Sequence, residues 1–160
     1  MGLGGVVALL MTGCGSEELP GEYFDLVVVT TQNECTGNGL SYTDGFEYRV
    51  LLDGNDATLS VVADDGSDDV FAVGTLDGCN LSYTSLVWST YLDEGDSQKE
   101  VKWQIEGAAA VNMGGAGGCV DQTDWLGTEN YEILSSQHSA IAPGCLYEMS
   151  VEGSWLRTVP

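Results

Sequence analysis

Basic residues are nearly missing from this sequence. Lys and Arg together number 4 among 160 residues, against 25 Asp and Glu, for a formal net charge of -21. A surface of that sign repels phosphate backbones and anionic headgroups alike, which excludes nucleic-acid binding. Long apolar runs are also lacking. The stretch Val6 to Met11 is far short of the ~20 residues a membrane-spanning helix needs. No segment after it keeps a 3.6-residue apolar period, so a helix-based domain is not expected, and no repeat at a fixed spacing argues for a solenoid. No pair of cysteines has the C-x-x-C spacing of a zinc or redox site. There is no G-x-S-x-G elbow, and the glycines Gly115, Gly117 and Gly118 follow no strand-to-helix pattern and carry no Lys, which rules out a phosphate cradle.

What the chain does have is apolar content. Hydrophobic residues make up 43%, with Trp 4, Tyr 7 and Phe 3, too much for an acidic disordered segment and enough for one folded domain. The segment Val6 to Met11 suits the apolar centre of a signal peptide. It runs into Met11-Thr12-Gly13-Cys14, a bulky residue and two small ones before a cysteine, which resembles the lipobox of bacterial lipoproteins. That resemblance implies lipidation at Cys14, a cleaved leader over residues 1–14 and attachment to the membrane through the lipid. Gly15 and Ser16 follow Cys14 in place of the Asp that retains many members of that family in the inner membrane, so the outer membrane of the bacterial cell envelope is the implied destination. Residues 15–21, GSEELPG, are small, acidic and contain proline, and read as a flexible tether to a domain over residues 22–160.

The domain reads as strands throughout. Tyr23 to Thr31 is dense in β-branched and aromatic residues. Phe46 to Leu52 alternates, with Phe46, Tyr48, Val50 and Leu52 on one face. Turn chemistry at Asp53 to Asp56, at Asp64 to Asp68 and at Asp77-Gly78 separates strands over Ala57 to Ala63 and Asp69 to Leu76. Cys79 to Tyr91 forms the longest strand candidate, with Leu81, Tyr83, Val87 and Tyr91 expected on one face. Val101 to Val111 is the next, and Asn112 to Gly127 is a long glycine-rich loop. Thr128 to Leu134 and Cys145 to Arg157 complete eight strands. Hairpin-scale links between eight strands point to an antiparallel up-and-down barrel, with a β-sandwich as the alternative. The barrel is preferred because it leaves no exposed edge on the first and last strands.

Gly21-Glu22-Tyr23, where G-x-W is usual, a long first loop and Arg157 near the chain end resemble the lipocalin-like proteins. The resemblance implies a barrel open at one end, with the first loop partly covering a cavity for a small apolar molecule. The inward aromatics Phe46, Tyr48, Tyr83, Trp103 and Tyr147 are the candidates to line such a cavity. They could equally fill a small barrel, and the sequence leaves both versions open.

Other chemistry is thinner. The acidic turns could offer oxygen ligands to calcium, but neither has a calcium-loop spacing, and solvated turn carboxylates are the better reading. His138, the one histidine, lies among Ser135, Ser136 and Ser139, which raises an envelope hydrolase as the alternative to a binding or structural module. No cofactor or metal is implied. Beyond Cys14, an even set of four cysteines suits an oxidising compartment. If strands alternate in direction, Cys35 and Cys145 meet at one end of the barrel and Cys79 and Cys119 at the other. Cα atoms within about 7 Å are needed for a bridge, so the pairing follows. The expectation is therefore a lipid-anchored envelope protein with an acidic barrel that binds a small molecule or serves as a scaffold.

Overall fold

A computed structural model describes residues 18–35 and 43–160; Cys14 and most of the first loop lie outside them. The chain forms nine antiparallel strands: β1 Gly21–Asn33, β2 Thr43–Asp53, β3 Asp56–Val62, β4 Asp68–Asp77, β5 Asn80–Ser85, β6 Trp88–Glu94, β7 Ser97–Val111, β8 Trp125–Ser136 and β9 Leu146–Val159. The one helical element described is the single 3-10 turn Met113–Gly115. Each strand pairs with the next through hairpins from β1 to β5 and from β6 to β9, β9 returns to β1, and β5 pairs with β7. Eight of the strands thus close an up-and-down ring in which β1 has neighbours on both sides, and the edges that favoured a barrel over a sandwich are consumed.

One strand expected from the sequence is two. The stretch Cys79 to Tyr91 bends at Leu86 and Val87, giving β5 and β6, both antiparallel to the long β7. Ser85 makes the corner. Its hydroxyl accepts the Ile105 N–H at 2.8 Å and donates to the Leu86 carbonyl at 2.7 Å, replacing ladder bonds with side-chain ones. The bend shifts the alternation by one residue. Leu81, Tyr83 and Ser85 are buried, whereas Val87 and Tyr91 are exposed, and Trp88 takes the face opposite Trp103. The expectation that Val87 and Tyr91 share the inward face of Leu81 and Tyr83 is therefore corrected.

The bend has a second consequence. β4 pairs with β5 up to Ser85 but not with β6, so the ring is closed in its lower part and slit between β4 and β6 above. We call the end carrying Asn33, Thr43 and Tyr147 the upper end, and the end carrying Asp53, Val111 and Trp125 the lower.

The lower half is filled. Trp125, with no exposed surface, lies edge-on to Phe24, Tyr48 and Tyr83 at centroid distances of 5.2, 6.1 and 6.3 Å. Leu26, Val50, Leu59, Phe71, Leu81, Ile105 and Val111 pack in the same cluster. Burying each such side chain contributes about 1.5 to 3 kcal/mol. The β7–β8 loop caps this end. The buried Asn112 donates to the Val120 and Thr123 carbonyls and accepts from the Cys119 and Val120 N–H groups. Gly115 sits under Trp155, where a Cβ would come within 2.5 Å of the ring.

Two disulfides staple the ring at opposite ends. Cys35 joins Cys145 at the upper end, Cα atoms 5.0 Å apart, and Cys79 joins Cys119 at the lower, 5.4 Å apart. These are the pairs that strand direction demands. Each closes a long loop, which limits the unfolded ensemble and contributes about 2 to 4 kcal/mol.

On the outer wall, the Arg157 guanidinium stacks 4.2 Å from the centre of the Tyr23 ring, bringing together two of the residues that carry the barrel-family resemblance. Arg157 also bonds Glu47 and Glu18 at 2.9 Å. Beside it Arg49 pairs with Asp68 and donates to the Pro20 carbonyl and the Ser60 hydroxyl. The segment entering the barrel is thus held against the wall from Glu18 onward.

Candidate functional site

The upper half of the interior holds a buried polar group among aromatic rings. Its centre is Glu129 on β8, a fully buried carboxylate. Tyr48 and Tyr83 donate to Oε1 at 3.2 and 2.7 Å, and Tyr131 donates to Oε2 at 2.9 Å. Three phenols from β2, β5 and β8 therefore converge on one carboxylate. Burial raises the Glu129 pKa above its ordinary value, and the three phenol bonds work against that rise without cancelling it. The same burial, with the neighbouring carboxylate, pushes Tyr83 and Tyr131 well above the usual phenol range, so both stay protonated donors.

Local sequence explains the convergence. Trp125, Gly127, Glu129, Tyr131 and Ile133 share one face of β8 by simple alternation. On β7 the residue facing Glu129 is Gly107, and a Cβ there would fall about 2.1 Å from the Tyr83 ring. Only glycine lets the Tyr83 ring cross that strand to reach the carboxylate.

Above Glu129 stands a ladder of rings on four adjacent strands. Trp88 of β6 stacks on Trp103 of β7 at 5.7 Å with planes 12° apart. Trp103 lies 5.4 Å from Tyr131 of β8, and Tyr131 lies 5.5 Å from Tyr147 of β9. Hydrogen bonds fix two of the rings: Trp103 donates to the Thr90 hydroxyl at 2.8 Å, and Tyr147 is bonded to the Thr30 hydroxyl at 2.9 Å. Trp103, Tyr131, Tyr147 and Phe46 are only partly buried, so part of this ring surface meets solvent in the upper half.

The five aromatics expected to line a cavity are thus brought to one region, but in two roles. Tyr48 and Tyr83 are buried and serve Glu129. Phe46, Trp103 and Tyr147 border the mouth. Trp125, Glu129 and Tyr131 belong to the same constellation and were not singled out in the sequence. Two grooves, of about 850 and 800 Å³, lie on the outer wall and not inside the ring. The larger is bordered by Glu18, Asp25, Glu47, Asp64, Asp68 and Arg157.

His138 stands apart, in the turn after β8. Its Nδ1 accepts the Ala140 N–H at 3.2 Å, the Ser136 hydroxyl donates to the His138 carbonyl, and the Ser139 hydroxyl donates to Glu94. Ser136 and Ser139 bond backbone and carboxylate and not the imidazole. Among the described residues no group of three or more His, Cys, Asp or Glu is placed to hold a metal.

No protein-family model and no curated protein matches the chain. Among solved structures, lipoprotein LppX of Mycobacterium tuberculosis aligns over 88% of this chain and 89% of its own, at 9% identity and a TM-score of 0.19. A likeness that slight carries no argument about either fold or function.

Proposed function

We propose that this protein is a lipid-anchored binding module of the bacterial cell envelope, tethered through Cys14, that holds a small molecule with an apolar face in the mouth of its barrel. The observation that carries this reading is the ladder Trp88, Trp103, Tyr131 and Tyr147. Ring surface on four adjacent strands, left partly open to solvent above a satisfied polar floor, costs hydrophobic free energy unless something covers it. The Trp125 cluster fills the space below, which favours a shallow site at the mouth over a deep carrier cavity.

The neutral probe phenylnaphthylamine tests the site. It is expected to bind the full chain with enhanced emission, and Trp103→Ala is expected to weaken binding at least about tenfold. Undiminished binding by that variant would show that the ladder is not the site. The anchor is tested separately. A Cys14→Ser variant is expected to leave the membrane fraction and to keep its leader, and unchanged fractionation would remove the lipid anchor and, with it, the assignment to the outer membrane.

A further inference from the structure

The chain's four Lys and Arg side chains all lie elsewhere. Arg49 and Arg157 lie on the outer wall with Asp68, Glu47 and Glu18. Lys102 sits beside Glu100, and Lys99 faces Leu92 on the β6–β7 ribbon. None touches Glu129, whose partners are three neutral phenols. On the flanking strands it faces Gly107 and Met149, which do not titrate. A buried carboxylate thus stands at the floor of an aromatic mouth with no positive charge to answer it.

Resting on the reading of the mouth as a binding site, we infer that its occupant is a cation: an ammonium group, primary to quaternary, carried on an apolar or aromatic stem. Three features agree. Trp103, Tyr131 and Tyr147 bring three ring quadrupoles together, and the negative side of such a ring attracts ammonium groups. The Tyr131 phenol, donating to Glu129, relays the carboxylate's charge to the ring that stands mid-ladder, since hydrogen bonds in a low-dielectric interior polarise one another. The net charge of -21 concentrates cations at the surface before docking. An anion is opposed by all three features, and a neutral molecule uses only the ring surface. Where Glu129 carries a proton in the empty protein, the entering cation displaces it to solvent, so that one positive charge replaces another.

The test compares benzyltrimethylammonium with neopentylbenzene, its uncharged carbon isostere, by calorimetry and Trp quenching on the full chain. The cation is expected to bind at least about tenfold more tightly. Glu129→Gln, with folding checked by near-ultraviolet circular dichroism, is expected to bring the ratio close to one. Wild-type binding is expected to release protons at pH values just above the ordinary glutamate range, read from calorimetry in buffers of different ionisation enthalpy. Equal affinities for the two probes would overturn the inference, as would an undiminished ratio in a folded Glu129→Gln variant. Should that variant not fold, Tyr131→Phe, which removes the phenol that joins the ladder to Glu129, is read in its place, and an undiminished ratio in that folded variant would overturn it. Each of these outcomes leaves phenylnaphthylamine binding intact, whereas its loss would instead remove the mouth as a site.

Discussion

Trp125→Ala is expected to lower unfolding free energy by roughly 4 kcal/mol, the range for deleting a fully buried aromatic ring. The ring has no exposed surface and meets Phe24, Tyr48 and Tyr83 edge-on, so its loss empties the middle of the barrel where three strands' worth of aromatics converge. Collapse into that space is opposed by the closed ladder, which keeps the strands from approaching one another. Trp125→Phe is expected to cost less than half as much. It keeps most of the packing and removes an indole N–H that has no hydrogen-bond partner among the described residues, and burying such a group unpaired is itself unfavourable. Leu126→Ala, next along β8 and 51% exposed, is the control and is expected to stay within about 0.5 kcal/mol. Urea unfolding measures all three. A Trp125→Ala cost below about 1.5 kcal/mol would mean that the barrel is not packed through its centre, and the preference for a shallow mouth over a deep cavity would go with it.

The parts of this fold that are written in local alternation could be read from the chain alone. Phe46, Tyr48, Val50 and Leu52 announce β2 because every second residue must face the same side of a strand, and Asp-Gly and Asn-Asp pairs mark turns for steric reasons that need no tertiary context. Strand direction then placed the four paired cysteines. The bend at Leu86 and Val87 was not legible, because β-branched and aromatic residues run straight through it, and what breaks the strand is the Ser85 hydroxyl meeting Ile105 from β7, a contact 20 residues away. Trp125 was hidden by its neighbours: the glycines and aspartates before it read as loop, and only pairing with Val111 and Gly153 makes it the first residue of β8. Glu129 was hidden by its chemistry. A carboxylate at an inward position is discounted by any hydropathy pattern, yet it shares the parity of Trp125, Tyr131 and Ile133. A charged residue on the inward face of an otherwise apolar strand, in a chain rich in tyrosine, is the signal that could have found it.

Glu129 also gives the barrel a stability that falls as pH rises. Its folded-state pKa lies above the ordinary value of 4.5, chiefly because burial disfavours the charged form. The folded state therefore binds the proton more tightly than the unfolded chain does, and the contribution from this group is fully present below about pH 4.5 and is lost as pH rises through the folded pKa. Glu129→Gln removes this titration. Wild type is thus expected to lose stability relative to Glu129→Gln as pH rises from about 4.5, and the difference is expected to level off once the carboxyl is ionised in both states. Of the phenols packed on it, Tyr83 and Tyr131 are pushed well above the usual phenol range and stay neutral in this window. Glu129→Ala acts differently, by taking the acceptor away from the Tyr83 and Tyr131 phenols in the interior. At about 1 kcal/mol or more for each of these two groups, it is expected to cost at least ~2 kcal/mol at every pH. Urea unfolding of the three proteins across the acid range separates the two effects. A wild-type protein that instead gains on Glu129→Gln as pH rises would show that the three phenol bonds outweigh burial and hold the carboxylate ionised in the folded state. In that case an entering cation would meet a permanent negative charge and release no proton. A Glu129→Ala cost near zero would mean that the phenols find water in place of the carboxylate, and that the floor of the mouth is wet.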